Sequence, residues 1–380
     1  MNVLVFSILV LFVLFFFIRF VIVLFSFRLL LKIKYIQINP FLPKIFPSVS
    51  VVIAARNESE NLKKNLPLVL TQNYRGKFEV IVVLDTCTDN SKAVIIDLKN
   101  RFKNLRYTEI FQEKKFDKYK KMAILLGVKA ANFENLVFID ADCFPSSDKW
   151  LERISTKFVD NDLIIGYGGI SKTKGILNIL QRYDTLYNSI LYFTAALMGK
   201  PYMAVGRNMA YKKDLFYRVG GFKNHFHLPS GNDDLFVRDV ANFAKTEICI
   251  HPDSFVFTES AVSFKSFFYK KIRHISTSYY YKLKDKLFLF VDALSRFFYT
   301  PLLLFSLIFY SFNNIYFVKI ILLLAVVKFL TELVIFLPIF KHFGENRLFW
   351  KIFWLEVIVP FIVGMGMIYE RLKKNMKSKW

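Results

Sequence analysis

The chain has 380 residues, room for one large domain with membrane segments or for two modest domains. Apolar residues make up 54%, and 44 phenylalanines crowd largely toward the two ends, whereas residues 48–265 have the make-up of an ordinary globular domain. Lysine plus arginine exceed aspartate plus glutamate by 53 − 30 = +23; without zinc-finger spacing, a recognition-helix pattern or an RNA-binding aromatic motif, this surplus points to anionic membrane and excludes nucleic acid.

Residues 3–27 form a nearly unbroken apolar run interrupted by Arg19. The run is long enough to cross a hydrocarbon core of about 30 Å, and it lacks the basic start and small-residue cleavage site of a signal peptide. Arg28, Lys32 and Lys34 follow at once, which by the positive-inside rule places the next domain in the cytoplasm. NPFLPKIFP (39–47) predicts a stiff extended linker. Next come short apolar runs that read as buried strands: SVSVVIAA (48–55), FEVIVVLD (78–85), LVFIDAD (136–142) and LIIGYGGI (163–170). Between them, 59–71, 89–101 and 117–131 carry helical periodicity or helix-start signals. That alternation predicts an α/β fold with a mainly parallel sheet covered on both faces. Gly220-Gly221 reads as a helix stop.

Three apolar segments follow. Residues 287–311 contain Asp292 and Arg296, so the first half is expected either to span or to lie in the interface. Residues 315–339 span, with Lys319 and Lys328 snorkelling or facing protein. The run 352–369 contains Glu356 and Pro360. If all four runs span from an outside N-terminus, the basic tail 371–380 ends outside, against the rule; an interfacial 287–300 or a re-entrant last run removes that conflict. Cys87, Cys143 and Cys249 have no metal-ligand or redox spacing and suit a reducing compartment, and His225, His227 and His251 read as surface or core residues.

In an open α/β sheet, ligands bind beyond the carboxyl ends of the strands. After the first strand comes Ala54-Ala55-Arg56-Asn57-Glu58, after the second Asp85-Thr86-Cys87-Thr88-Asp89, and the third ends in Asp140-Ala141-Asp142. Carboxylates at i and i+2 of an extended segment project to one side. Such a pair suits Mg2+ or Mn2+, which bind oxygen and keep positions open for phosphate.

SVSVVIAARNESENL, FEVIVVLDTCTDNS, VFIDADCFPSSDKWL, GRNMAYKKDLFYRVGGF and SGNDDLFV, in that order, resemble glycosyltransferase family 2 with its GT-A nucleotide-diphospho-sugar fold, over about residues 47–275. The resemblance implies that Ala55, Arg56, Glu58 and Asp85 line the nucleoside pocket and that Asp140 and Asp142 hold metal and diphosphate. It puts Lys120 near the nucleotide, with Tyr119 where the family has glycine. Gly206 and Asn208 would lie beside the donor sugar. Asp233 falls on the position of the general base, with Asn232 in place of the usual glutamate, and a slip of one residue would make Asp234 the base. Lys270, Arg273 and His274 occupy the place of the family's Gln-x-x-Arg-Trp motif and would meet the acceptor or diphosphate; only Arg273 is retained.

Together, the apolar and basic segments and the resemblance give the expected organisation: a membrane helix (1–35), a linker (36–47), a GT-A domain (48–285), C-terminal membrane segments (286–370) and a basic tail (371–380). The activity it implies is inverting sugar transfer from a UDP- or GDP-sugar to a lipid, lipid-linked saccharide or polysaccharide. The setting would be the cytoplasmic face of a bacterial inner membrane, with membrane lipids as partners. The alternatives are a catalytically silent membrane scaffold, against which all three key acids argue, and a nucleotidyltransferase of related fold, which needs a glycine-rich loop after the first strand.

Overall fold

The computed structural model describes residues 3–38, 45–111, 120–228 and 230–377. The expected linker falls partly, and the predicted start of the helix at 117–119 wholly, outside the described residues. The chain forms two compact units: Asn39–Lys174 with Leu191–Ala261, and Met1–Ile38 with Gly175–Ile190 and Val262–Trp380.

The first of these is the α/β unit. Its strands are β1 (Val49–Ala55), β2 (Phe78–Asp85), β3 (Leu105–Ile110), β4 (Asn135–Phe138), β5 (Cys143–Pro145), β6 (Leu163–Gly166), β7 (Gly168–Ile170), β8 (Met209–Lys212), β9 (Thr246–Cys249) and β10 (Val256–Thr258). Seven of them form one sheet in the order β3-β2-β1-β4-β8-β6-β9, and β5-β10-β7 form a second. In the large sheet β3, β2, β1 and β4 run parallel, β8 runs antiparallel to both β4 and β6, and β9 is parallel to β6. The sheet is mostly parallel, as the alternating pattern predicts. β1 and β2 are apolar without a break because both faces are covered; Val51, Val52, Val82 and Val83 are all buried.

The expected single strand 163–170 is split between the two sheets. At Gly166 a Cβ would come within 2.5 Å of the Asn208 amide, so only glycine lets that side chain pass the strand end. The expected third strand is shorter than 136–142: β4 ends at Phe138, and Asp140 and Asp142 lie in the turn that leads to β5. Alternation along a strand therefore does not explain their common direction; the turn does.

The other unit is helical. Val3–Phe25 and Phe27–Ile38 are separated by a turn at Ser26, whose amide donates to the Val23 carbonyl (3.0 Å). Leu283–Asn313, Ile315–His342 and Ile352–Lys377 follow, and among the described residues four helical segments are long and apolar enough to cross a membrane. Within the apolar runs 3–27, 287–311, 315–339 and 352–369, every charge but Lys319 is buried inside the unit. Arg19 pairs with Asp292 (3.2 Å), Glu356 and Glu332 (3.8 Å). Lys328 reaches Glu332 (2.7 Å) and Glu356 (3.4 Å), and Arg296 reaches Asp292 (3.0 Å). The Tyr187 hydroxyl accepts from Arg19 (2.8 Å) and donates to Asp292 (2.6 Å).

Candidate functional site

The carboxyl ends of β1, β2 and β4 carry the polar residues expected there. Beyond β1 and β2 the backbone is strained: Asn57 and Thr86 both hold a positive φ, 54° and 48°. For β-branched Thr86 that region is sterically costly, and such residues concentrate where a ligand is gripped. No sequence signal marks Thr86. The Asn57 side chain accepts from the Thr88 amide (2.8 Å), and Asp89 accepts from the Ser59 and Ser91 amides (3.0 Å each), so the two loops brace one another. Burial pulls the Asp89 carboxyl up, but hydrogen bonds from Ser91 and Ser59 outweigh it and hold the group at about 2.

Ala55 is buried and its carbonyl accepts from the Cys87 thiol (3.5 Å). Arg56 is exposed and stands 4.0 Å from half-buried Asp85. Glu58 accepts from the Asn61 amide (2.6 Å). Its carboxyl is raised first by burial and then by Asp142, Asp140 and Asp89, with the Asn61 bond opposing. Glu58 thus feels an excess of negative charge at this end of the sheet.

Asp140 and Asp142 are both half-buried, and their carboxylates lie with the Cys143 sulfur within 4.8 Å of one another. Cys143 is a poor third ligand. Burial, followed by the two aspartates, pushes its thiol well up, so it stays protonated and donates to Asp142 (3.2 Å). Thr258 also donates to Asp142 (3.3 Å). Two neighbouring carboxylates, one of them supported by a hydroxyl, fit a hard divalent cation. The Lys120 ammonium binds Asp140 directly; burial lowers its pKa, but Asp140, Asp233 and Asp142 together raise it more.

Gly206 presents its amide to Asp233 Oδ2 (2.8 Å). Asp233 is half-buried and sits at the N-cap of the helix Asp234–Val240 without making a capping bond. Asp234 is 5% exposed and is turned inward, accepting from the Leu235 amide (2.9 Å). A small cavity lies between Lys120, Asp140, Gly206, Asn232 and the floor residues Phe138 and Tyr211.

Asn208 does not face this site. It is fully buried, with its amide donating to the Tyr167 and Ser254 carbonyls (2.8 Å each) and its oxygen accepting from the Trp150 indole (3.1 Å). Both its amide hydrogens and its oxygen are engaged internally, so it anchors the loop and leaves Gly206 to make the contact. Lys270, Arg273 and His274 are exposed on the helix Phe264–Ser278, which belongs to the helical unit.

A family model for glycosyl transferase family 2 matches residues 50–220. Glycosyltransferase AglE of Haloferax volcanii is 31% identical over 215 residues, 54% of this chain and 67% of that protein. Poly-beta-1,6-N-acetyl-D-glucosamine synthase of Staphylococcus epidermidis is 29% identical over 144 residues, 38% of this chain and 33% of that protein. Among solved structures, mannosyltransferase PcManGT from Pyrobaculum calidifontis, in complex with GDP-Man and Mn2+, is similar with a TM-score of 0.52 and 17% identity. The match covers 93% of this chain and 98% of that one, and it is a likeness of fold. By its sequence relatives and its sheet, the chain is a glycosyltransferase of family 2 whose α/β unit has the GT-A fold.

Proposed function

We propose that the protein transfers a sugar with inversion from a UDP- or GDP-sugar to a lipid, lipid-linked saccharide or polysaccharide. The transfer takes place at the cytoplasmic face of the membrane crossed by its apolar helices. The observation that carries this reading is a small cavity lined by Lys120, Asp140, Gly206 and Asn232, with the Asp142 carboxylate close to Asp140 and Asp233 accepting from the Gly206 amide. Asp140 and Asp142 would hold Mg2+ or Mn2+, which supplies charge neutralisation for the departing diphosphate. Arg56, Glu58 and Asp85 line the nucleoside side, with the Ala55 backbone beneath them.

In the transfer, the acceptor oxygen attacks the anomeric carbon while Asp233 takes the proton from that hydroxyl. The bond from the anomeric carbon to the phosphate oxygen breaks, and the nucleoside diphosphate leaves with the electron pair. The half-buried setting of Asp233, with no capping bond to occupy it, supports this role over Asp234, which is turned into the interior. Lys270, Arg273 and His274, exposed on one helix, are proposed to meet the acceptor or the phosphates of membrane lipid.

The test is a panel of UDP- and GDP-sugars offered to the purified full-length protein with Mn2+. Release of nucleoside diphosphate from one of them, abolished by chelator, is the expected result. A chain that neither binds nor cleaves any of them is a scaffold, and the reading fails.

A further inference from the structure

Lys121 is a buried lysine that the transfer chemistry does not use. Its side chain is 1% exposed, one residue from Lys120 but pointing to different partners. The ammonium donates to the backbone carbonyls of His225 and Leu228, the latter at 2.9 Å. These two carbonyls belong to the turn that opens the segment running to Asp233. The far end of that segment is also constrained: Gly231 holds a φ of +90°, and a Cβ there would stand 2.6 Å from Leu235 Cδ1. Asp233 follows two residues after that bend.

Taking an ammonium out of water costs several kcal/mol unless it is well bound. An apolar side chain of the same length would fill the space without that cost, so its presence needs a reason. Burial pulls Lys121 down to about 8, against the opposing pull of Asp234 and then Asp233. The charge therefore sits within reach of the acidic pair as well as of the two carbonyls.

We propose that Lys121 is a positioning residue for the transfer, holding the 225–228 turn so that Asp233 is delivered to the Gly206 amide and the reacting hydroxyl. The helix Lys120–Ala130 then serves both halves of the site through neighbouring residues. Lys120 faces the donor and metal side, while Lys121 holds the side that removes the proton. The inference rests on the glycosyl-transfer reading with Asp233 as base.

The experiment uses full-length protein in detergent with Mn2+ and two probes, GDP-mannose and UDP-N-acetylglucosamine, taking whichever is cleaved. Hydrolysis rate at saturating donor and donor KM are measured for wild type, Lys121→Met, Lys121→Gln and Asp233→Asn. Lys121→Met should lower kcat about 10- to 100-fold, the range expected when a reacting group is misplaced by an ångström or so. Donor KM should stay within about two-fold, because Lys120, Asp140 and Asp142 are untouched. Lys121→Gln keeps two N–H donors and should lose only several-fold; should Lys121→Met fail to accumulate, this variant carries the comparison. An unchanged kcat in either accumulating variant overturns the inference, as does a loss that falls on donor KM. If Asp233→Asn itself turns over like wild type, the fault lies with the base assignment and not with Lys121.

Discussion

Asp233 and Asp234 are neighbours in sequence with different surroundings. Asp233 receives the Gly206 amide and is half-buried, whereas Asp234 is packed inward beside the charge of Lys121. Asp233→Asn should therefore cut turnover about 10²–10⁴-fold while leaving donor binding intact, since a base acts only while the acceptor loses its proton. Asp234→Asn should keep most turnover and cost about 1 kcal/mol in stability, the scale of a helix-end hydrogen bond. Turnover at saturating donor, measured beside donor affinity, decides; a dead Asp234→Asn with an active Asp233→Asn would move the base by one residue. The metal pair is tested separately. Asp142→Asn removes one of the two carboxylates but leaves an oxygen for the Thr258 hydroxyl, so the turn should survive. Mn2+-dependent donor binding should fall at least about tenfold in a titration calorimeter, and unchanged affinity would remove Asp142 from the metal site.

Among the elements, the helix Lys120–Ala130 packs on β1 and β2 through Gly127, where a Cβ would meet Val52 Cγ1 at 2.3 Å and Val83 Cγ2 at 3.3 Å. In an exposed helix Gly→Ala gains about 1 kcal/mol. Here overpacking of about 1–3 kcal/mol outweighs that gain, so Gly127→Ala should lower the melting temperature of the full-length protein by a few degrees. A rise in melting temperature would show that the helix can shift away from the sheet. The elements legible in the sequence are those with the simplest surroundings. β1 and β2 read clearly because they are buried on both faces, and the strand ends beyond them announced polar residues in the right places. β8 was not legible: MAYK is four residues inside a motif that reads as a loop, yet it lies in the middle of the large sheet. β3 (LRYTEI) and β9 (TEIC) are edge strands with mixed residues, and β5 and β10 have three residues each. The helix Ile176–Leu197 is not among the elements the pattern predicts, because Asn178, Gln181 and Ser189 are buried and blur its apolar stripe. For the site, residue types were legible and side-chain direction was not. Nothing in Gly206-Arg207-Asn208 says that the asparagine turns inward while the glycine amide reaches the acid.

Across the whole chain, six charges that look like separate blemishes in the sequence prove to be parts of one balance. Arg19 interrupts the first apolar run, Asp292 and Arg296 the second, Lys328 and Glu332 the third, and Glu356 the last. Together they make three cations and three carboxylates, all buried in the helical unit and joined by Tyr187. In an apolar surrounding each such charge is expensive alone and tolerable when paired. Arg19 contacts all three carboxylates, so it is the member whose loss leaves the largest imbalance. Arg19→Leu should destabilise the helical unit by about 3–5 kcal/mol, the usual cost of stranding a buried partner. The amount of folded protein recovered from membranes in detergent should drop several-fold. Adding Glu356→Gln restores neutrality, two cations against two carboxylates, and should recover most of the yield even though a further ion pair has gone. Yield and melting temperature of the single and double variants are the measurement. If Arg19→Leu melts within about a degree of wild type, the network is not what holds the helices in register. If the single variant falls and the double does not recover, the loss is one of packing around Arg19 and not of charge balance.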